Sequence, residues 1–417
     1  TRFKKEKDMN VTDQEIQMLR ESILLQIDLT REMKDEEIKQ IITESCRIYA
    51  KEKLLTLHDL EELEQCLFYS LRKLDVLQEL LDDPQITEIM VNGADHIFYE
   101  KEGCLFSSDK KFTSADKLND VIQQIVAANN RMVNESSPIV DTRLADGSRV
   151  NIVLHPISID GSAVSIRKFP ERPLMMEDLI EKEMISHEAT EFLKILVISG
   201  YNIFVSGGTG SGKTTFLNSL SQFIPSDERI ITIEDSAELQ LIDKSNLVRL
   251  ETRNANTEGV VPITIRDLIK TALRMRPSRL IVGECRGAEA LDVLQAMNTG
   301  HDGSLSTGHA NSCKDMISRL ETMVLMGMGM PLAAIRSQIA SGIDILVHLG
   351  RMRDKSRKVL SITEVVDYKD KQIILNEIYH FYETEERDSM VKGTLEQVGS
   401  LMNTEKAERA GYRIEGL

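Results

Sequence analysis

The chain has 417 residues, 41% of them apolar, so we expect two or three domains with substantial hydrophobic cores. No apolar run reaches the roughly 18 residues of a membrane span, no signal-peptide pattern opens the chain, and the five cysteines never form a CxxC pair, which together predict a reduced, cytosolic protein. The net charge of −16 argues against a constitutive nucleic-acid coat, because duplex DNA repels an acidic surface.

Residues 1–75 are predicted to form a helical module. Thr12-Asp-Gln-Glu15 is a capping-box pattern, which marks the start of a helix. Apolar residues then recur at helical spacing, with charged residues on the other faces, in the segments 16–27, 38–49 and 60–74. The pattern indicates a packed bundle, and a docking element for a partner is the alternative.

Residues 76–172 are predicted to form an α+β domain. Short alternating or apolar runs predict antiparallel strands, with turns at Asn92-Gly93, 101–103 and Asp146-Gly147. The segment 118–126 predicts a helix that covers one face of these strands. Pro170 and Pro173, followed by a polar run, indicate a linker over residues 173–187.

Residues 188–417 are predicted to form an α/β domain with a parallel sheet. A helix over 188–199 leads into a strand at 202–205, and short β-branched runs then alternate with helical segments, at 229–233, 247–250, 279–282 and 303–306. Two alternating runs over 358–381 predict an antiparallel hairpin whose turn lies at 367–371.

The most specific motif follows the first strand of this domain and matches the phosphate-binding loop pattern GxxxxGK[ST]. Glycines let backbone N–H groups turn toward phosphate oxygens, and the next helix adds its positive N-terminal dipole. Lys213 is expected to reach the β/γ-phosphates, and the Thr214 hydroxyl to ligate Mg²⁺. A glycine-rich turn that binds nothing is the alternative. The predicted nucleotide-binding residues are Gly207, Gly208, Thr209, Gly210, Ser211, Gly212, Lys213, Thr214 and Thr215.

Two acidic clusters follow, each at the end of a predicted strand. Glu234, Asp235 and Glu238 form the first, and Glu284 belongs to the second. Because ligands of open α/β sheets bind at the carboxyl ends of the strands, we expect these carboxylates to serve in metal binding or catalysis. Solvated strand ends are the alternative.

His301 and His309 bracket the predicted strand at 303–306, and their position after Glu284 favours a γ-phosphate sensor. A zinc site is weakly indicated, because neither histidine has a partner at zinc-finger spacing, and a structural histidine is the other alternative. Arginines are dense near residues 266–286 and in the preceding domain at Arg143, Arg149 and Arg167, although solvation explains most surface arginines.

Taken together, these motifs resemble the ATPases of type II and type IV secretion and of type IV pili, and most of all the CpaF-like proteins of Flp/Tad pilus assembly. Gly308 departs from the pattern, since valine or leucine is expected before the second histidine. The matching stretches lie between residue 76 and about residue 350 and read ITEIMVNG (86–93), ESSPIVDTRLADGSRVN (135–151), SIRKF (165–169), GGTGSGKTT (207–215), RIITIEDSAEL (229–239), LRMRPSRLIVGECRG (273–287) and AMNTGHDGSLSTGHANS (296–312).

The resemblance implies a RecA-like ATPase domain at 188–417, preceded by the α+β domain, a mobile linker between them, and a homo-hexamer with nucleotide between the two domains. It implies ATP and Mg²⁺, and partners among the platform proteins of the inner membrane, with the chain peripheral to the cytoplasmic face. No stable nucleic-acid partner is expected.

The resemblance also implies roles for individual residues. Lys213 and Thr214 belong to the Walker A motif, and Glu284, the Walker B acid, joins Thr214 at Mg²⁺. Glu234, Asp235 and Glu238 form an Asp box in which Glu238 activates water, and His301 and His309 form a His box. Arg149 and Arg167 match arginines that reach the nucleotide from the N-terminal domain, and Arg143 is a weaker candidate.

The expected function is an ATP-hydrolysing motor that powers assembly of a Flp/Tad-type pilus or a related secretion process. The alternatives are a type IV secretion or conjugation ATPase that moves protein or DNA, and a scaffold that binds nucleotide without hydrolysing it. Binding of DNA with strong salt dependence would indicate the first alternative, and the acidic net charge argues against it.

Overall fold

The computed structural model describes residues 11–28, 31, 33–101, 103–129, 131–169, 172–253, 261–384 and 390–413. The chain divides into two compact units, Thr1–Glu171 and Arg172–Leu417. Pro170, which the sequence associates with the linker, and residue 102 of a predicted turn lie outside the described residues. None of the helices in the described ranges is long and apolar enough to cross a membrane.

The first unit begins with helices whose inward faces form one apolar cluster. At the first of them, Glu15 and Thr12 exchange the two hydrogen bonds of the predicted capping box. Ile42, Leu63 and Leu67 are among the fully buried side chains, as the helical spacing predicted. The helices are α1 (Asp13–Leu24), α2 (Asp35–Lys53), α3 (Leu57–Arg72) and α4 (Val76–Asp82).

An antiparallel sheet with one covering helix completes the first unit. Ile122 and Ile125 of that helix are buried together with Ile89 and Ile166 of the sheet. In the described residues the strand order is β3-β2-β1-β6-β5-β4. The elements are β1 (Ile86–Asn92), β2 (His96–Lys101), β3 (Cys104–Ser107), α5 (Ala115–Ala127), β4 (Ile139–Arg143), β5 (Arg149–Val153) and β6 (Ala163–Arg167).

A buried lysine joins the helical module to the sheet of the same unit. Lys117 lies near the amino end of α5. Its Nζ donates to the carbonyl oxygen of Ser70 at 3.0 Å and lies 3.2 Å from Asp75 Oδ2. Its charge is satisfied by both partners, as burial of an ammonium group requires. The helical module and the α+β domain therefore form one compact unit.

The second unit is an α/β domain built on one mixed sheet. For the described residues the strand order is β15-β14-β13-β12-β7-β11-β10-β8-β9, parallel from β12 to β9 and antiparallel from β12 to β15. The strands are β7 (Ile203–Gly207), β8 (Ile230–Glu234), β9 (Leu247–Glu251), β10 (Arg279–Val282), β11 (Leu305–Gly308), β12 (Ile345–Arg351), β13 (Arg357–Lys369), β14 (Gln372–Glu383) and β15 (Gly393–Gln397).

Helices bury two apolar clusters against this sheet. The parallel strands β7, β8 and β10 are buried along their whole length, which explains their continuous apolar sequences, whereas β9 at the edge is partly exposed. The helices are α6 (Met176–Glu181), α7 (His187–Ile198), α8 (Lys213–Ser221), α9 (Ile265–Ala272), α10 (Ala290–Asn298), α11 (Cys313–Gly327), α12 (Leu332–Gly342) and α13 (Glu405–Arg409).

The range 173–187 differs from the linker that the sequence indicated. Helix α6 lies within it, Met176 and Leu179 are buried in the core of the second unit, and the Ser219 hydroxyl donates to the Leu174 carbonyl at 2.7 Å. The prolines nearby suggested a connection, but the apolar residues between the charged ones follow helical spacing and are buried.

One predicted strand begins later than expected, and one predicted hairpin is present. The strand expected at 303–306 begins two residues later, because Gly303 has a φ of +80°, outside the extended region. The predicted hairpin over 358–381 is present as β13 and β14, and its turn residues Asp370 and Lys371 both have positive φ.

Candidate functional site

The phosphate-binding loop connects β7 to α8 in the second unit. A side chain at Gly207 is sterically excluded, since a Cβ there would lie 2.5 Å from Ser211 Oγ and 2.6 Å from the Leu349 oxygen. Gly212 precedes α8 with a φ of 92°, in the left-handed region that glycine adopts without strain. The loop thus has the strand–loop–helix setting that its sequence predicted, and α8 directs its N-terminus into it.

Lys213 is the first residue of α8, and its side chain folds back over the loop. The ammonium donates to the Gly208 carbonyl at 3.0 Å and lies 3.3 Å from His309 Nδ1. Burial lowers the pKa of Lys213, and the positive charge of Arg286 lowers it further. The ammonium is therefore held inside the loop by weak partners that a phosphate oxygen can replace.

Glu284 follows β10 and connects His309 with Arg286. Its Oε1 lies 2.9 Å from His309 Nε2, and its Oε2 accepts from Arg286 Nη2 at 2.7 Å. Burial raises the pKa of Glu284, but the hydrogen bond and charge of Arg286 outweigh it and the pKa is lowered. The carboxylate is therefore ionised at neutral pH and is stabilised by both neighbours.

His309 lies between a donor and an acceptor, which determines its tautomer. The Lys213 ammonium can only donate, so His309 Nδ1 accepts and the neutral ring carries its proton on Nε2, which lies 2.9 Å from Glu284 Oε1. Burial lowers the pKa of His309, and the charge of Lys213 lowers it further, so the ring is neutral near pH 7. Lys213, His309, Glu284 and Arg286 form a continuous chain of polar contacts.

Glu234 ends β8 and supports the segment that follows it. It is only 3% exposed, and its Oε1 accepts the backbone N–H groups of Glu238 at 2.8 Å and Leu239 at 2.9 Å. The Glu238 backbone is thereby fixed beside the site. The pKa of Arg286 is raised first by its hydrogen bond to Glu284, and also by the charges of Asp235, whose Oδ2 lies 4.0 Å from Arg286 Nη1, and of Glu238.

Burial raises the pKa of Glu234 to about 7, from an ordinary value of 4.5. A carboxyl group with a raised pKa in the folded state binds its proton more tightly there, so stability falls as pH rises from 4.5 to 7. Glu234→Gln cannot ionise. As the pH rises from 4.5 to 7, we expect the melting temperature of Glu234→Gln to increase relative to that of the parent. The increase should correspond to roughly 3 kcal/mol of unfolding free energy. A difference that stays constant with pH would show that burial does not raise this pKa.

The structure brings only one of the two histidines to the site. Parallel strands β7, β8, β10 and β11 direct their carboxyl ends to one edge, where His309 follows β11. His301 precedes β11 and therefore lies at the opposite edge, with Nδ1 3.3 Å from the Ala296 oxygen of α10. Closeness in sequence suggested a joint role, but the strand between them separates the two rings. Within its own unit His301 has the surroundings of a structural histidine.

Three arginines of the α+β domain lie in a row across three strands. Arg143 is directly opposite Arg149, which is directly opposite Arg167, so the three side chains leave the same face of the sheet. Arg149 Nη2 lies 3.5 Å from Asp141 Oδ1. Three positive charges placed side by side create a local positive field that attracts an anion.

Two further arginines lie beside the loop, and no sequence pattern indicated them. Arg357 Nε donates to the Gly210 oxygen at 3.0 Å, and Arg351 also approaches Gly210. Arg351 ends β12 and Arg357 begins β13, so the two flank the β12–β13 turn, which reaches the loop because β12 pairs with β7. Only the strand order could have identified them, since more than 130 residues separate them from the loop.

The residues expected to hold Mg²⁺ have suitable donor chemistry. Thr214 is the second residue of α8, and Glu284 is an ionised carboxylate; both supply the oxygen ligands that Mg²⁺ prefers. Glu284 Oε2 accepts one hydrogen bond, from Arg286, and the buried Oε1 accepts none within the described ranges, so the carboxylate keeps lone pairs for a further ligand. No group of three or more His, Cys, Asp or Glu side chains suited to a metal exists among the residues described.

Comparison with known proteins shows extensive similarity. The family model described as "Type II/IV secretion system protein" matches residues 70–402. A putative conjugal transfer protein of Mycobacterium tuberculosis is 33% identical over 293 residues, which cover 69% of this chain and 83% of that protein. The type IV secretion system protein VirB11 of Brucella suis is 33% identical over 308 residues, which cover 66% of this chain and 84% of that protein.

Two solved structures share the fold. The ATPase DotB of Legionella pneumophila aligns with a TM-score of 0.51 at 22% identity, over 71% of this chain and 80% of its own. The pilus retraction motor PilT, solved with bound ADP, aligns with a TM-score of 0.50 at 18% identity, over 74% of this chain and 82% of its own. With the sheet order above, these likenesses confirm the predicted α/β, RecA-like fold.

Proposed function

Because the chain belongs to the family of type II/IV secretion system proteins, we propose that it is an Mg²⁺-dependent ATPase that works as a motor of such a system. The observation that carries the proposal is the polar chain Lys213–His309–Glu284–Arg286 at the mouth of the phosphate-binding loop. It brings together a phosphate-binding cation, an acidic residue and a second cation, which are the groups that phosphoryl transfer to water needs.

In the proposed reaction the loop binds the phosphates of ATP and Lys213 exchanges the Gly208 oxygen for a phosphate oxygen. Thr214 and Glu284 would hold Mg²⁺, which would supply positive charge toward the phosphates. His309 accepts from the Lys213 ammonium and lies 2.9 Å from Glu284, so movement of that ammonium would alter the contact between the ring and Glu284. His309 is thereby suited to sense the γ-phosphate.

We assign activation of the attacking water to Glu238 rather than to Glu234. Glu234 is buried, and its Oε1 is occupied by two backbone N–H groups, so it acts as a support for the Glu238 backbone. Glu238 lies on the segment next to Arg286, where a carboxylate can orient water toward a bound phosphate. In the first unit, Arg149 and Arg167 are proposed to contribute positive charge toward the nucleotide.

The proposed assembly is a homo-hexamer that acts with platform proteins at the cytoplasmic membrane. The finer proposal, a motor of Flp/Tad-type pilus assembly, rests on the sequence stretches that resemble CpaF-like proteins. It is tested by measuring phosphate release with and without the cytoplasmic domains of candidate platform proteins. Stimulation by a pilus platform domain supports it, and stimulation only by a secretion-channel domain contradicts it.

A motor that moves DNA is the second candidate, because one relative is described as a putative conjugal transfer protein. Phosphate release is measured with ATP alone, with duplex DNA added, and with EDTA. We expect DNA to leave the rate of hydrolysis unchanged, in accord with the net charge of −16. We expect EDTA to abolish hydrolysis. Stimulation by DNA that declines with salt would favour the conjugation motor, and nucleotide binding without phosphate release would indicate a scaffold.

A further inference from the structure

The turn between β12 and β13 contacts the outside of the phosphate-binding loop with two arginines that the reaction above does not use. Arg351 and Arg357 are directly opposite each other in the β12–β13 ladder. Arg357 Nε donates to the Gly210 oxygen at 3.0 Å, and Arg351 Nη1 lies 3.4 Å from where a Cβ on Gly210 would be. Both guanidinium groups therefore lie against the same glycine of the loop.

Side-chain contacts fasten this turn to the rest of the sheet. Asp354 Oδ1 accepts the backbone N–H of Ser356 at 2.9 Å, and its Oδ2 accepts that of Val391 at 2.7 Å. Arg353 forms an exposed ion pair with Glu383 of β14, which contributes little to holding the turn. The turn is thus a fixed support from which Arg357 reaches the loop.

The contact with Gly210 determines the direction of one backbone N–H group. In a trans peptide the C=O and N–H point in opposite directions. Arg357 holds the Gly210 oxygen outward, so the N–H of Ser211, which belongs to the same peptide, points into the loop. The Ser211 nitrogen lies 3.4 Å from the Gly208 oxygen, which also accepts a hydrogen bond from the Lys213 ammonium.

We propose that Arg357 is a positioning residue that holds the Gly210–Ser211 peptide in its phosphate-binding orientation, with Arg351 adding positive charge beside it. The inference rests on the proposed nucleotide binding. A purely structural role explains the pair poorly, because like charges directly opposite each other in a sheet are destabilising. An anion in the loop offsets that repulsion, and a preformed N–H group binds it without reorganisation.

Arg357→Ala tests the proposal through nucleotide affinity and hydrogen exchange. We expect affinity for ADP and ATP to fall about tenfold, the typical effect of losing a charge-assisted hydrogen bond. KM should rise with little change in kcat, because the contact acts equally before and during the reaction. Amide exchange in the loop should increase, and the melting temperature should not fall, because Arg357 is exposed and its removal relieves the repulsion by Arg351. Arg357→Lys, which keeps the charge, should restore part of the affinity.

Arg353→Ala is the matched control, since Arg353 lies in the same turn but pairs with Glu383. It should bind nucleotide as the parent does. Parental affinity and unchanged loop exchange in Arg357→Ala would overturn the positioning role and leave the proposed ATPase intact. An equal loss in Arg353→Ala would overturn it too, by showing a general effect of charge. A parent protein that binds no nucleotide would overturn both proposals.

Discussion

Lys213→Ala is expected to reduce ATP hydrolysis by about 100-fold or more, the range found when a preorganised charge-stabilising group is removed from an active site. Lys213 is only 7% exposed, and its ammonium is held in the loop by contacts with Gly208 and His309. Removing it leaves phosphate charge without its nearest cation and His309 Nδ1 without its donor. Phosphate release at saturating ATP measures the loss.

Two further measurements make this result specific. The melting temperature of Lys213→Ala should stay close to that of the parent, because alanine is favourable in a helix and the side chain contacts only the site. Lys270→Ala, on the exposed face of α9, is the control and should hydrolyse ATP normally. Undiminished phosphate release by Lys213→Ala would refute the assignment of this loop as the catalytic phosphate site.

Glu238→Gln is expected to lower kcat by a factor of about 10² to 10⁴, the usual contribution of a general base, while ATP still binds. The amide has the size of the carboxylate but cannot take a proton from water. Its backbone N–H keeps its bond to Glu234, so the segment retains its conformation. Single-turnover hydrolysis and binding of ATP, measured on the same preparation, separate chemistry from affinity.

Glu234→Gln is the comparison for this experiment. Its side-chain oxygen can still accept from the backbone of Glu238 and Leu239, so the segment keeps its support and hydrolysis should largely persist. The opposite pattern, in which Glu234→Gln loses turnover and Glu238→Gln retains it, would transfer the role of base to the buried carboxylate. Its pKa near 7 would then be suited to that task.

The sequence predicted the parts of the site that depend on neighbouring residues. The phosphate loop is recognisable because its glycines, lysine and threonine act within nine residues, and the strand before it and the helix after it are visible as local patterns. The family resemblance added the acidic and histidine motifs. The sequence pattern was misleading for residues 173–187, where nearby prolines and charged residues indicated a linker. The apolar side chains of this segment are buried in the second unit.

Only the tertiary structure decided which side chains meet. Strand order places Glu284 and His309 beside Lys213, separates His301 from them by the length of β11, and brings Arg357 to Gly210 through the pairing of β12 with β7. Burial likewise distinguishes Glu234 from Glu238, which look alike in sequence. Local motifs reflect forces between residues close along the chain, whereas contacts across a sheet depend on how distant strands pair, which a single sequence does not encode as a local pattern.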